Sequence, residues 1–219
     1  MKIAILGGTG DQGFGLGFRW AAAGHEIIIG SRNAEKGFNA AADLQEKLPD
    51  DAAVSGTDNL TAAELGEIVV LSVPYAAQAP TLAAVQDALQ GKILITVVAP
   101  TGEKKARAFR LPGGLSAAEE AQEQLGEEVR VVAAFQNIGA HLLLDLDYDL
   151  DCDVLVCGDK GADKEVVLQL CLDARLRGVN CGALQNARPV EELTSVLIAI
   201  NVIHKIKEAG IRITGLPEG

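Results

Sequence analysis

The chain opens with a short apolar run, Lys2-Ile3-Ala4-Ile5-Leu6, that passes directly into Gly7-Gly8-Thr9-Gly10-Asp11-Gln12-Gly13 and then into an Ala-rich amphipathic stretch. Gly8, Gly10 and Gly13 stand at the spacing G-x-G-x-x-G, and their place between a strand and a helix gives that spacing its meaning. In such a unit Gly8 is expected to permit the tight turn. Gly10 lets the backbone approach a pyrophosphate, Gly13 lets the helix lie close on the strand, and the helix N-terminus offers unpaired N–H groups to the anion.

Further along, β-branched runs at 2–6, 26–30, 68–73, 92–97 and 130–134, with a shorter one at 53–56, alternate with amphipathic segments at 11–23, 34–47 and 76–89. Gly24 stands where a helix end wants a left-handed residue, and Ser116 with Glu119 reads as a capping box opening another helix. This alternation predicts an α/β fold, a Rossmann doubly wound parallel sheet with helices on both faces. Only 4% of the residues are aromatic against 48% hydrophobic, so Ala, Val, Ile and Leu must build the core.

After His141 the texture changes to an acidic stretch at 145–153, an apolar run at 154–158 and two more helical segments. The expectation is a dinucleotide-binding domain over 1–140 and a small C-terminal α+β lobe over 141–219, which completes a second-ligand cleft. The last segment, 193–206, is apolar on nearly every face, so it is either wedged between lobes or buried against a second copy; a homodimer is expected.

A net charge of -11 opposes binding to nucleic acid or anionic lipid, and no apolar run approaches the roughly 20 residues that span a bilayer. With no targeting segment before the first strand, the protein is expected to be cytoplasmic. Cys152, Cys157, Cys171 and Cys181 lack the paired spacing of a zinc site and are expected as free thiols, and the acidic stretch lacks calcium-loop spacing; no metal is expected.

The second β-run ends Ile27-Ile28-Ile29-Gly30-Ser31-Arg32, where a site for NAD would place an acid against the ribose 2′-hydroxyl. That acid is missing. Ser31 is suited to donate to a 2′-phosphate, Arg32 to pair with it and stack on adenine, and Lys36 to add a third contact, itself positive, so the pocket is expected to prefer NADP(H).

Parallel sheets bind ligands beyond the carboxyl ends of their strands, here Val73-Pro74-Tyr75, Val98-Ala99-Pro100 and Phe135-Gln136-Asn137-Ile138-Gly139-Ala140-His141. None contains a proton-transfer pair. Of the histidines, His25 and His204 read as structural and only His141 adjoins a pocket loop, so no catalytic side chain is assigned. This absence suits hydride exchange between two ring cofactors that carry their own chemistry. Lys104, Lys105, Arg107 and Arg110 form either a receptor for an anionic tail or a solvated loop.

Several of these pieces, in order, resemble the NADPH-dependent reductases of coenzyme F420: residues 2–13, His25-Glu-Ile-Ile-Ile-Gly-Ser-Arg32 with Lys36, Val73-Pro74, Ser116-Ala-Ala-Glu119, Val131 to Ala134, Val154 to Asp159 and Glu191 to Thr194. The resemblance implies hydride transfer between nicotinamide carbon 4 and deazaflavin carbon 5. It implies NADP contacts at Thr9, Gly10, Asp11, Gln12, Ser31, Arg32, Lys36, Val73, Pro74 and Ala140, with the deazaflavin near Tyr75, Ile138 and the end of the last helix. The chain departs from the family where Tyr75 replaces a frequent Trp, Gln136-Asn137 replaces a His-Thr pair and Gly139 replaces a Pro. These departures fall on the second-ligand side and leave open a flavin or ferric-chelate reductase, or a non-catalytic NADP(H) sensor.

Overall fold

The computed structural model describes residues 1–148 and 150–216. One eight-stranded sheet runs through it: β1 (Lys2–Leu6), β2 (Glu26–Ser31), β3 (Val54–Asp58), β4 (Ile68–Leu71), β5 (Ile93–Thr96), β6 (Arg130–Ala133), β7 (Asp153–Gly158) and β8 (Arg177–Asn180), in spatial order 3-2-1-4-5-6-7-8. The first six strands are mutually parallel, β7 lies antiparallel to β6, and β8 is parallel to β7. The chain direction across the sheet reverses at β1, where β2 lies on one side and β4 on the other, and that gap is where doubly wound sheets place their ligands. The stretch after residue 141 contributes β7 and β8 to this same sheet, with Val132 opposite Gly158 and Ala133 opposite Cys157.

Helices α1 (Asp11–Ala22), α2 (Ala34–Gln45), α3 (Asn59–Leu65), α4 (Tyr75–Val85), α5 (Ala117–Leu125), α6 (Gly161–Asp173) and α7 (Ala187–His204) cover both faces. Side chains alternate along β1: Ile3 and Ile5 join a core with Leu16, Trp20, Ile27 and Ile29, while Ala4 and Leu6 join another with Ile28, Val69 and Leu71. Burial on both faces explains why the central strands read as unbroken apolar runs.

Three elements differ from the expected ones. The segment 76–89 breaks into α4, which holds Pro80, and a separate 3-10 turn at Asp87–Leu89. Helix α3, seven residues opened by Asp58 accepting from the Thr61 amide, is too short to show helical periodicity. Strand β8, Arg-Gly-Val-Asn, is an edge strand that is only partly buried, so it lacks an apolar signature.

One charged side chain joins distant segments from inside the fold. Arg19, only 2% exposed, donates to the carbonyls of Leu142, Leu143, Asp145 and Ala174. A buried guanidinium is tolerable because carbonyl oxygens occupy its donors. It thereby ties α1 to the segment that follows the β6 loop.

Candidate functional site

The glycine turn is shaped by backbone contacts before any ligand is considered. Gly7 holds φ at +71°, and a Cβ there would stand 2.5 Å from Val73 Cγ1 and 2.7 Å from the Ser72 carbonyl oxygen. Gly7 is thus the left-handed residue of the turn. Gly8 is constrained differently, since a Cβ would meet the Ile5 carbonyl at 2.9 Å, and Gly13 would meet the Gly8 Cα at the same distance. Gly13 therefore does let α1 lie against the turn.

Gly10 has no such internal reason. Its φ of -85° and ψ of 157° are open to any residue, and the nearest atom to a Cβ would be 3.6 Å away. Without a Cβ the turn is open at this point to something approaching from outside. Gly10 also caps α1 without any side-chain bond, so the amides of Asp11, Gln12 and Gly13 have no acceptor among the described residues. Free amides at a helix N-terminus, beside a backbone with no Cβ, suit a pyrophosphate.

Around this turn lies a cleft of about 690 Å³ lined by Thr9, Gly10, Ser31, Arg32, Lys36 and Asn59, with Ser72, Val73 and Pro74 closing its other wall. Arg32 and Lys36 are exposed, and neither has a carboxylate partner among the described residues although the chain is strongly acidic. The Asn33 side chain caps α2 by accepting from the Glu35 and Lys36 amides, which fixes the start of the helix that carries Lys36. Beyond Arg32 and Ser31 a further hollow of about 370 Å³ runs between Asp58, Asn59 and Leu60 on one side and Pro80, Thr81 and Ala84 on the other. Two cations, a nearby hydroxyl and an adjoining apolar hollow match a 2′-phosphate with its adenine.

On the opposite side of the glycine turn a second cavity, about 290 Å³, shares Gly10, Ser72, Val73 and Pro74 with the first. It is lined also by Asp11, Gln12, Tyr75, Val98, Phe135 and Gln136. Several of its polar groups are already engaged. Gln12 Nε2 donates to the Phe135 carbonyl at 3.0 Å, and the Tyr75 hydroxyl donates to Glu120 Oε2 at 2.7 Å. Burial, then the bond to Glu120, pushes the Tyr75 pKa up to about 12, which makes the phenol a poor proton donor.

Helix α7 braces this cavity from behind. Thr194 Oγ1 donates to the Gln136 carbonyl at 3.0 Å, while the Glu191 carboxylate accepts from the Ala117 and Ala118 amides at 2.7 and 3.0 Å. Burial pushes Glu191 up to about 7, against the pull of those two amides. At the same N-terminus of α5, the Ser116–Glu119 capping box is present and Glu119 pairs with Arg188 of α7.

Of the residues expected at the site, Thr9, Gly10, Ser31, Arg32, Lys36, Val73 and Pro74 come together in the first cleft, and Asp11 and Gln12 line the second cavity. Ile138 and Ala140 line neither. Ile138 packs in the core at 6% exposure, and Ala140 begins a 3-10 turn whose Leu143 lies against α1 at Gly15. His141 is exposed and lines neither cavity, and His25 is buried with Nε2 2.8 Å from Asp173 Oδ2. In the basic cluster Arg110 pairs with Glu192 of α7. Sequence reasoning missed Asn59, whose Oδ1 accepts from the Gly7 amide at 3.2 Å and so buttresses the turn from β3 and α3. Among the described residues no group of three or more His, Cys, Asp or Glu is placed to hold a metal, and no helix is long and apolar enough to cross a membrane.

With this geometry in hand, similarity to known proteins is informative. Residues 2–100 match the family model described as NADP oxidoreductase coenzyme F420-dependent. Over its whole length the chain is 46% identical to the F420-dependent NADP reductase of Methanothermobacter marburgensis, covering 100% of each. It is 44% identical to the reductase of that name from Methanocaldococcus jannaschii, covering 99% of each. Its fold is similar to the crystal structure of a putative F420-dependent NADP reductase from Arthrobacter sp. FB24, with a TM-score of 0.78, 26% identity, and 98% and 99% of the two chains covered.

Proposed function

The chain belongs to the family of coenzyme F420-dependent NADP reductases, and from that premise we propose that it binds NADP(H) along the glycine turn and exchanges a hydride with coenzyme F420 in the adjoining cavity. The observation that carries the reading is the continuity of the two cavities through Gly10, Ser72, Val73 and Pro74, which lets two ring ligands meet edge to edge or face to face. In the reducing direction NADPH gives a hydride, F420 takes it together with a proton, and NADP⁺ remains; the rings supply this chemistry.

The protein's part is holding and orienting. Ser31, Arg32 and Lys36 take the 2′-phosphate, the amides of residues 11–13 take the pyrophosphate, and Val73 and Pro74 form the wall shared by both ligands. Tyr75 is bound to Glu120 and is not offered to the second ligand as an acid, so the proton that accompanies the hydride is left to come from elsewhere. The C-terminal stretch supports the cavity through Thr194, which holds the Gln136 carbonyl, while Glu191 joins α7 to the start of α5. Along α7 and just past it, Val196, Val202, Ile203 and Ile206 are 41% to 71% exposed, an apolar face suited to a second copy of the chain.

Mixing the purified protein with NADPH and F420 should abolish the visible absorbance of the deazaflavin. Turnover of FMN with F420 left unchanged would move the assignment to a flavin reductase, and tight NADPH binding without any acceptor would make the protein a sensor.

A further inference from the structure

We infer that Gln136 is a ring-positioning residue whose side-chain oxygen accepts a hydrogen bond from an amide or imide N–H of a ligand in the second cavity, an inference that rests on the hydride-transfer reading. Gln136 lines that cavity at 6% exposure. Its Nε2 donates to the Thr96 carbonyl at 2.9 Å, which fixes which end of the amide faces Thr96, because a carbonyl accepts only from the nitrogen end. Its backbone carbonyl is taken by Thr194. What remains is Oε1, buried and without a donor among the described residues.

The backbone that presents Gln136 is fixed at some cost. Phe135, just before it, holds φ at +70°, a conformation that a bulky side chain rarely adopts. Its surroundings over-determine it: the ring is fully buried, meets Trp20 edge-on at 5.6 Å, and its carbonyl accepts from Gln12 Nε2. Strain maintained this way at a cavity wall points to a loop whose geometry matters to what the cavity holds.

A buried acceptor without a partner discriminates strongly for a ligand that brings a donor. Gln78 Oε1, Asn137 Oδ1 and Ser195 Oγ are also buried without a hydrogen-bond partner, and Arg130 Nε faces Asp163, but none of these residues lines either of the two cavities at the glycine turn, so the ligand reading is confined to Gln136. Two sources share the required chemistry: the carboxamide of the nicotinamide and the ring imide of a deazaflavin.

The test is equilibrium binding by fluorescence titration, with two ligand pairs on the wild-type protein. One pair is NADPH and its reduced 3-acetylpyridine analogue, in which a methyl ketone replaces the carboxamide. The other is 5-deazariboflavin and its imide N-methyl derivative. One pair should differ in Kd by about tenfold in favour of the N–H ligand, and the pair that does so identifies the source. In Gln136→Met the difference should collapse to near unity. In Gln136→His, where one ring nitrogen faces Thr96 and the other is free to accept, it should be largely retained. No discrimination in either wild-type pair, or discrimination that persists in Gln136→Met, overturns the inference. Should Gln136→Met not fold, the wild-type pairs decide alone. If the wild-type protein binds NADPH but no deazaflavin, the acceptor assignment fails while the nicotinamide pair still judges Gln136.

Discussion

Replacing Gly10 by alanine separates a glycine required by a ligand from one required by the fold. At Gly10 the backbone is extended and an added methyl finds its nearest atom, the Gly7 carbonyl oxygen, at 3.6 Å, an ordinary contact. Stability of Gly10→Ala should therefore change by less than about 1 kcal/mol, and in the favourable direction if the unfolded chain loses entropy. The nucleotide should be affected differently. A methyl standing between the turn and the pyrophosphate lengthens the charge-assisted bonds to the free amides of α1, and losing one or two of them costs about 2–3 kcal/mol, roughly 30- to 150-fold in Kd. Gly7→Ala is the contrasting case: with φ at +71° and a Cβ 2.5 Å from Val73 Cγ1, it should destabilise the fold by about 1–3 kcal/mol. Urea unfolding gives the stabilities and NADPH fluorescence gives the affinities. If Gly10→Ala bound NADPH as tightly as the parent, the turn would not be the pyrophosphate site.

Other substitutions probe the remaining parts. Arg32→Ala should weaken NADPH binding about 10- to 100-fold and NADH binding far less; equal losses for both nucleotides would remove the 2′-phosphate contact from the account. Glu191 is shifted from 4.5 to about 7, so the native state binds the extra proton. Its contribution is complete below pH 4.5 and fades as pH rises through 7, a loss of about 3 kcal/mol in all. The pH dependence of the urea midpoint over that window should be flatter in Glu191→Gln, and a wild-type slope that survives the substitution would show that another group causes it. The Cys157 thiol, donating to Cys181, holds the latter's pKa below the usual thiol value, while burial raises Cys152 and Cys171. Iodoacetamide near neutral pH should accordingly modify Cys181 first, as peptide mapping would reveal; equal labelling of Cys171 would contradict the assigned burial.

What could be read in the sequence was whatever is encoded locally. The glycine turn, the first two strands and Ser31-Arg32 lie within one βαβ unit, so spacing alone placed Gly10, Arg32 and Lys36 in one cleft. The Ser116–Glu119 box likewise needs only four consecutive residues. What could not be read depends on distant pairing. Asn59 reaches Gly7 because β3 is ordered two strands from β1, and nothing within a seven-residue helix announces that. Arg19 looks like the polar face of an amphipathic helix, yet it is buried because carbonyls from 142–145 and 174 converge on it. The fixed orientation of Gln136 requires Thr96, forty residues earlier, to be its neighbour across the sheet. Even within the turn, the positive φ falls on Gly7, which lies outside the G-x-G-x-x-G spacing and where a Cβ would meet Val73 and Ser72.

Direct passage of hydrogen from one ring to the other is tested most simply with NADPH deuterated at nicotinamide carbon 4. Incubated with the protein and F420, one face-specific form of the labelled nucleotide should deliver its deuterium to the reduced deazaflavin, seen by mass spectrometry, without dilution from solvent. Reduced F420 carrying only solvent hydrogen, or no reduction at all despite bound NADPH, would contradict the account.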